Sequence, residues 1–172
     1  MSIFHRYQST IHGNYRKAYL RSGLLTGALL VLYVLARLLM GSAVQSPVSY
    51  ISDAVMLILV ALFTAFYRNS LPEKKITLKE AMLFGMGTAV VGAVVYGVAL
   101  WVIGITFPQQ AAIFTTTMTG QETLPGDPQI RYWAAWWGIV GGVSLMVVGA
   151  FGSFLASIFF RNEKSEIKHK KS

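Results

Sequence analysis

Two charged residues inside long apolar stretches are the residues of this sequence best placed to do chemistry. Arg37 lies near the end of the first apolar stretch, and Asp53 lies near the start of the second. On helices joined by a tight hairpin, these positions are about 6 and 7.5 Å from the same membrane boundary, so we expect both at nearly the same depth. A single charge in hydrocarbon costs several kcal/mol, and pairing with an opposite charge lowers that cost. The sequence therefore predicts an intramembrane ion pair.

Two interpretations of this pair stay open. In the first, the pair is structural and pins the two helices together, or Arg37 extends its guanidinium outward to the interface. In the second, the pair lines a cavity that binds an ion, a proton or a polar solute. Both residues share a helical face with small, hydroxyl-bearing or aromatic side chains, and we expect these faces to look into a bundle. The faces hold Gly23, Thr26, Leu30 and Tyr33 with Arg37, and Leu57, Val60, Thr64 and Tyr67 with Asp53.

The elements that position the pair are long apolar stretches. Each is long enough to cross about 30 Å of hydrocarbon at about 1.5 Å per helical residue. They predict an all-α integral membrane protein, a four-helix bundle with a single membrane domain over residues 22–160. The predicted spans are residues 22–41, 48–66, 81–107 and 133–160, and residues 108–132 form the predicted outer loop.

The distribution of positive charge predicts the orientation of the spans. All of the 15 lysines and arginines except Arg37 and Arg131 lie before the first span, between the second and third, or after the fourth. By the positive-inside rule both chain ends are cytoplasmic. Basic side chains beside the span ends are expected to contact anionic lipid headgroups. These are Arg16, Lys17, Arg21, Arg68, Lys74, Lys75, Arg161 and Lys164.

The two terminal segments are basic. Residues 161–172 form a predicted cytoplasmic tail. Residues 1–21 carry apolar and aromatic side chains every four residues among basic ones, which is typical of an amphipathic helix on the inner membrane surface. A basic arm that merely follows the orientation rule is the alternative. The repeating side chains are Ile3, Tyr7, Ile11, Tyr15 and Tyr19.

Two local patterns concern the connections between spans. Residues 42–47 are too few for anything except a hairpin between neighbouring helices. Between the second and third spans, Thr77 and Glu80 have the spacing of a capping box that opens a helix. We therefore expect the third helix to begin beside Thr77.

All four tryptophans of the chain lie near the predicted outer boundary. An indole ring prefers the headgroup zone, so Trp101, Trp133, Trp136 and Trp137 are expected to form an outer-interface belt. A ligand cage is the alternative interpretation.

Small residues recur at helical spacing in three spans. Such positions let neighbouring backbones approach closely, which is how helices associate in lipid. We expect them to form packing faces within the bundle, with a docking face for another subunit as the alternative. The positions are Gly23 and Gly27 in the first span, Gly85, Ala89, Ala93 and Gly97 in the third, and Gly138, Gly142, Gly149, Ser153 and Ser157 in the fourth.

Composition excludes several function classes. The chain has no cysteine, so disulfides, thiolate catalysis and cysteine-ligated metals are excluded. No phosphate-binding loop, zinc motif or nucleophile motif occurs, and we expect no enzyme activity, no metal and no cofactor. The net charge of +8 lies at span ends, which disfavours nucleic-acid binding.

With abundant packing surface and little chemistry, the sequence predicts a non-enzymatic accessory or assembly subunit of a larger membrane complex. Its expected partners are membrane lipids and either other membrane-protein subunits or further copies of itself. The alternative is an oligomeric permease or channel-like protein that uses Arg37 and Asp53.

The order of these parts resembles a known family. The run from Lys75 to Ala81, followed by Gly85, a proline at the outer end of the third span, here Pro108, and a last span running directly into Arg161 carry the resemblance. The chain is similar to small four-span bacterial membrane proteins that form a family of unknown function. The resemblance implies the inner membrane of a Gram-negative bacterium and carries no activity. The aromatic and basic arm departs from the shorter start usual in that family.

Overall fold

The computed structural model describes residues 3–40, 49–71, 76–120, 122 and 124–160. Within these residues the chain is all-helical and has no strand. The helices are α1 (Ile3–Leu39), α2 (Ser49–Ser70), α3 (Leu78–Thr106), α4 (Pro108–Thr119) and α5 (Ile130–Phe160). All except α4 are long and apolar enough to cross a membrane, over Tyr15–Leu39, Tyr50–Ser70, Leu78–Thr106 and Ile130–Phe160. The predicted all-α class with four spans is confirmed.

The helix bounds differ from the predicted spans in one informative place. The predicted arm and first span form a single helix, because nothing between Ile3 and Leu39 interrupts the backbone and no proline occurs there. The predicted boundary after residue 21 is therefore not a break in the helix. The position of the arm on the membrane surface stays a prediction. The predicted hairpin connection at residues 42–47 and the tail at 161–172 lie outside the described residues.

The start of α3 follows from its local sequence. The Glu80 N–H donates to Thr77 Oγ1 at 3.2 Å, and the Thr77 N–H donates to Glu80 Oε2 at 3.1 Å. Each side chain satisfies an amide that has no partner within the helix. The predicted capping box is confirmed.

The α3 and α5 helices form the most extensive contact of the bundle. They run antiparallel, and small residues meet along the contact: Gly85 lies against Ser153, Ala89 against Gly149, Ala93 against Gly142, and Gly97 against Gly138. The Ser153 hydroxyl donates to the Met82 carbonyl oxygen at 2.7 Å. Since lipid provides no hydrophobic drive for association, close backbone approach and van der Waals packing hold this pair together. Ser153 and Ser157 are fully buried.

The other two spans pack on the outside of this pair. α1 lies on α3, where Gly23 and Gly27 contact Val91 and Val95. α2 lies on α5, where Met56 contacts Gly149 and Leu57 contacts Gly152. The order of these contacts along the chain makes α1 parallel to α3 and α2 parallel to α5. The start of α1 and the end of α5 therefore lie at the same end of the bundle.

The short helix α4 closes the opposite end. It begins at Pro108. Proline suits the first helical turn because N–H groups there have no acceptor within the helix, so the N–H that proline lacks costs no hydrogen bond. Gly120 caps the end of α4, and the φ of 70° at this residue is in the left-handed region that favours glycine. Phe114 of α4 stacks on Trp137 of α5 with ring centroids 6.0 Å apart. This contact joins α4 to the core.

Candidate functional site

The two charged residues singled out in the sequence lie in one polar region between three helices. The Arg37 side chain on α1 is only 7% exposed, and Asp53 on α2 is partly buried. Tyr96 of α3, also 7% exposed, is joined to Ser52 by a side-chain hydrogen bond. Tyr96 lies within electrostatic range of both charged residues and of Tyr33. We call Tyr33, Arg37, Ser52, Asp53 and Tyr96 the polar cluster.

The polar cluster is surrounded by apolar packing. Leu30 and Val34 precede it on α1, and Met56 and Val60 follow it on α2, all of them 2% exposed or less. In such surroundings a polar group that lacks a partner is costly, so the hydroxyls, the guanidinium and the carboxylate stabilise the fold only as a connected network. The hydrogen bond between Ser52 and Tyr96 joins α2 to α3 at this depth. The groups of the polar cluster can also hydrogen-bond a small polar or charged solute.

Ser52 and Tyr96 are members that the sequence reasoning missed. The small residues of the third span predict a packing helix, and the predicted inward face of the second span begins at Asp53 and Leu57 and continues through Val60 and Thr64. Val60 and Thr64 are fully buried, but at the start of α2 the buried residues are Ser52 and Met56, and Asp53 is only partly buried. Tyr96 could have been recognised from the sequence because it lies in the middle of an apolar span, where a buried phenol needs a hydrogen-bond partner.

A second cluster, of aromatic rings, lies at the end of the bundle where α1 begins. Tyr67 of α2 stacks on Phe84 of α3 at 4.3 Å between ring centroids. Tyr15 packs edge-on against both rings, at 5.7 and 6.1 Å, and against Tyr19 at 5.7 Å. The Tyr15 hydroxyl donates to the Glu80 carbonyl oxygen at 3.4 Å. These contacts join α1, α2 and α3 at this end.

The tryptophans do not form a uniform belt. Trp101 and Trp136 are 44% and 42% exposed, and Trp133 is partly buried. Trp137 is only 5% exposed and belongs to the core beneath α4. Its position on α5 points it at Phe114 instead of outward.

The basic residues expected at lipid headgroups are described in part. Arg16, Lys17 and Arg21 are exposed on α1, and Arg68 is partly exposed at the end of α2. Four others, namely Lys74, Lys75, Arg161 and Lys164, lie outside the described residues. Among the described residues, no group of three or more histidine and acidic side chains could hold a metal ion.

A comparison with protein families identifies the group to which these spans belong. A family described as "Protein of unknown function (DUF4199)" matches residues 21–124, which is more than half of the chain. The chain belongs to the DUF4199 family. The DUF4199 match confirms the resemblance to small four-span proteins of unknown function. The matched residues contain the whole polar cluster and end before α5.

No curated protein and no solved structure matches the chain. The family match and the four apolar helices together show a multi-pass membrane protein of unknown function.

Proposed function

We propose that this DUF4199 protein is a non-enzymatic accessory or assembly subunit that packs against a larger membrane complex. The observation that carries the proposal is the position of α2. Only 22% of its apolar span is buried, against 33% for the spans of α1 and α5 and 50% for that of α3, although α2 contributes Met56, Val60 and Thr64 to the interior. Its outward side holds exposed residues at every fourth position, which we call the α2 stripe: Tyr50, Ala54, Ile58, Leu62 and Phe66.

The small-residue faces cannot supply the main docking surface. In α3 and α5 they face each other, and in α1 they face α3. A partner helix would therefore meet larger side chains. The α2 stripe suits such a partner because residues at four-residue steps form a ridge that fits the groove of another helix. Ile58, 59% exposed, and Leu62, 43% exposed, lie at the centre of this ridge.

Site-specific photo-crosslinking in native membranes tests the proposal. A benzophenone amino acid at Ile58 or Leu62 is expected to give the same covalent protein adduct, identified by mass spectrometry. The matched controls are Val60, which is fully buried on the same helix, and Leu32, which is 62% exposed on α1. We expect intramolecular products at Val60 and lipid adducts at Leu32. If Ile58 and Leu62 also give lipid adducts only, the proposal is wrong.

A second candidate function is an oligomeric permease or channel-like protein, and the polar cluster favours it. A buried arginine and an aspartate that both act electrostatically on the same buried tyrosine are the type of intramembrane groups that mark ion and solute pathways. Purified protein in liposomes would then conduct protons or small ions, and Asp53→Asn would abolish the flux. Asp127→Asn is the control, because this carboxylate lies outside the spans and accepts from the Gln129 N–H at 2.7 Å. Liposomes that stay impermeable with the wild-type protein contradict this candidate.

We further propose that the protein resides in a bacterial inner membrane with both ends in the cytoplasm. The supporting argument is the concentration of lysine and arginine at the end of the bundle where α1 begins and α5 ends. The exposed Arg16, Lys17 and Arg21 would there contact anionic lipid headgroups.

A further inference from the structure

An open apolar groove runs between α3 and α5 on the side of this pair away from the polar cluster. Its volume is about 370 Å³, within the range of about 300–1,000 Å³ typical of ligand pockets. Its lining includes Gly97 and Gly138, where the two helices approach so closely that a Cβ on Gly97 would lie 2.8 Å from the Gly138 carbonyl oxygen. The walls are larger side chains, with Val98 52% and Val143 50% exposed. The groove forms because large side chains stand on both sides of a helix contact that itself contains no large side chain.

The length of the groove matches one leaflet of a bilayer. Along α5 it extends from Ala135 to Met146, a rise of about 16 Å. One leaflet contributes about half of the roughly 30 Å of hydrocarbon. The groove is therefore long enough for one acyl chain of that leaflet.

A positive charge lies above the end of the groove where α5 begins. Arg131 is exposed and precedes Ala135 by one helical turn on the same face. It is the only lysine or arginine between Lys79 and Arg161. Side chains on a helix lean toward its N-terminus, so this guanidinium extends from the groove toward the membrane surface.

Trp101 closes the same end of the groove from α3 and is 44% exposed. Its ring has an apolar body and an N–H donor, which suits the boundary between acyl chains and headgroups. A guanidinium binds phosphate oxygens through two parallel hydrogen bonds. The end of the groove thus presents donors and a positive charge, and the rest of its lining is apolar.

We propose that this groove binds a phospholipid, with one acyl chain between α3 and α5 and the phosphate at Arg131. The charge at one end selects a phospholipid over a second copy of the chain or a partner helix, because a lipid phosphate pairs with this guanidinium and an apolar helix does not. The site is independent of the α2 stripe, which lies on another side of the bundle.

Native mass spectrometry after incubation with dioleoyl phosphatidylglycerol tests this site. The wild-type protein is expected to retain one lipid, and Val143→Phe, which fills the groove, is expected to lose it. Val147→Phe is the matched control, because Val147 is 62% exposed on α5 but does not line the groove. Val98→Phe fills the groove from the opposite wall, and agreement between the two filling variants separates loss of the site from misfolding of one variant.

The role of the phosphate is tested with Arg131→Gln and with dioleoylglycerol, which has the same chains and no phosphate. Each change is expected to weaken retention about tenfold, the usual size of a lost hydrogen-bonded charge contact at a partly solvated site. Equal retention of dioleoylglycerol, or a lipid that survives both filling variants, overturns the proposal. So does a disulfide between two Val98→Cys copies in native membranes, because a second copy would then occupy the groove.

Discussion

At the scale of single residues, the distance between α3 and α5 depends on positions that lack a side chain. A Cβ added at Gly138 would lie 2.5 Å from the Gly97 carbonyl oxygen, and backbone cannot move aside as a flexible side chain can. Gly126 provides a contrast, because nothing lies within 4 Å of a Cβ added there.

We predict that Gly138→Ala lowers the free energy of unfolding by about 1–3 kcal/mol, the usual cost of overpacking a tight contact. Unfolding by denaturing detergent, followed by circular dichroism, measures the change. Gly126→Ala should unfold like the wild-type protein. Equal stability of the two variants would show that α3 and α5 can separate at no cost.

Thr88 of α3 is an unusual buried residue. It is fully buried, and its hydroxyl has no hydrogen-bond partner among the residues that the structure describes. A buried hydroxyl without a partner costs about 1–3 kcal/mol, whereas an apolar group of the same shape costs nothing of this kind.

Thr88→Val is therefore expected to raise the free energy of unfolding by about 1 kcal/mol. The same detergent titration measures it. Thr64→Val is the control, since the Thr64 hydroxyl donates to the Val60 carbonyl oxygen at 2.7 Å, and its loss should give no gain. A destabilised Thr88→Val protein would contradict the prediction.

At the scale of elements, the start of α3 is held by an interaction within one turn. Thr77→Ala removes the hydroxyl that accepts from the Glu80 N–H and is expected to cost about 1 kcal/mol. Hydrogen exchange of the amides of residues 78–81 should become faster, while the amides in the middle of α3 stay protected. Lys79→Ala changes an exposed side chain in the same turn and should leave this exchange unchanged. Unaltered exchange in Thr77→Ala would show that packing, and not the cap, sets the start of the helix.

The elements also show which sequence patterns are informative. The capping box was predictable because all its atoms lie within four consecutive residues. The burial of Ser52 and Met56 at the start of α2 was not predictable, because it depends on Met56 and Leu57 meeting glycines of α5, nearly a hundred residues later. The boundary predicted after residue 21 follows a change in polarity, but polarity does not interrupt a helix that lacks proline, so α1 is continuous from Ile3.

At the scale of the whole molecule, the parallel pairs α1/α3 and α2/α5 put the start of α1 and the end of α5 at one end of the bundle. The cysteine-free chain makes a direct test of sidedness simple. A membrane-impermeant maleimide should label Gly126→Cys in spheroplasts, because residue 126 lies in the predicted outer loop. Ser70→Cys, at the exposed end of α2, should react only after the membrane is opened. Labelling of both variants in intact spheroplasts, or of Ser70→Cys alone, would overturn the predicted orientation.

The sequence alone determined the number of spans, the helical class and the cap of α3. A bilayer requires each spanning segment to satisfy its own backbone hydrogen bonds, so length and hydropathy within one segment decide that it is a helix. Only the tertiary structure joined Tyr96 to Ser52, buried Trp137 under α4 and opened the groove beside Gly97 and Gly138. These features depend on how helices rotate and approach one another, which is decided by van der Waals contacts between residues far apart in the chain.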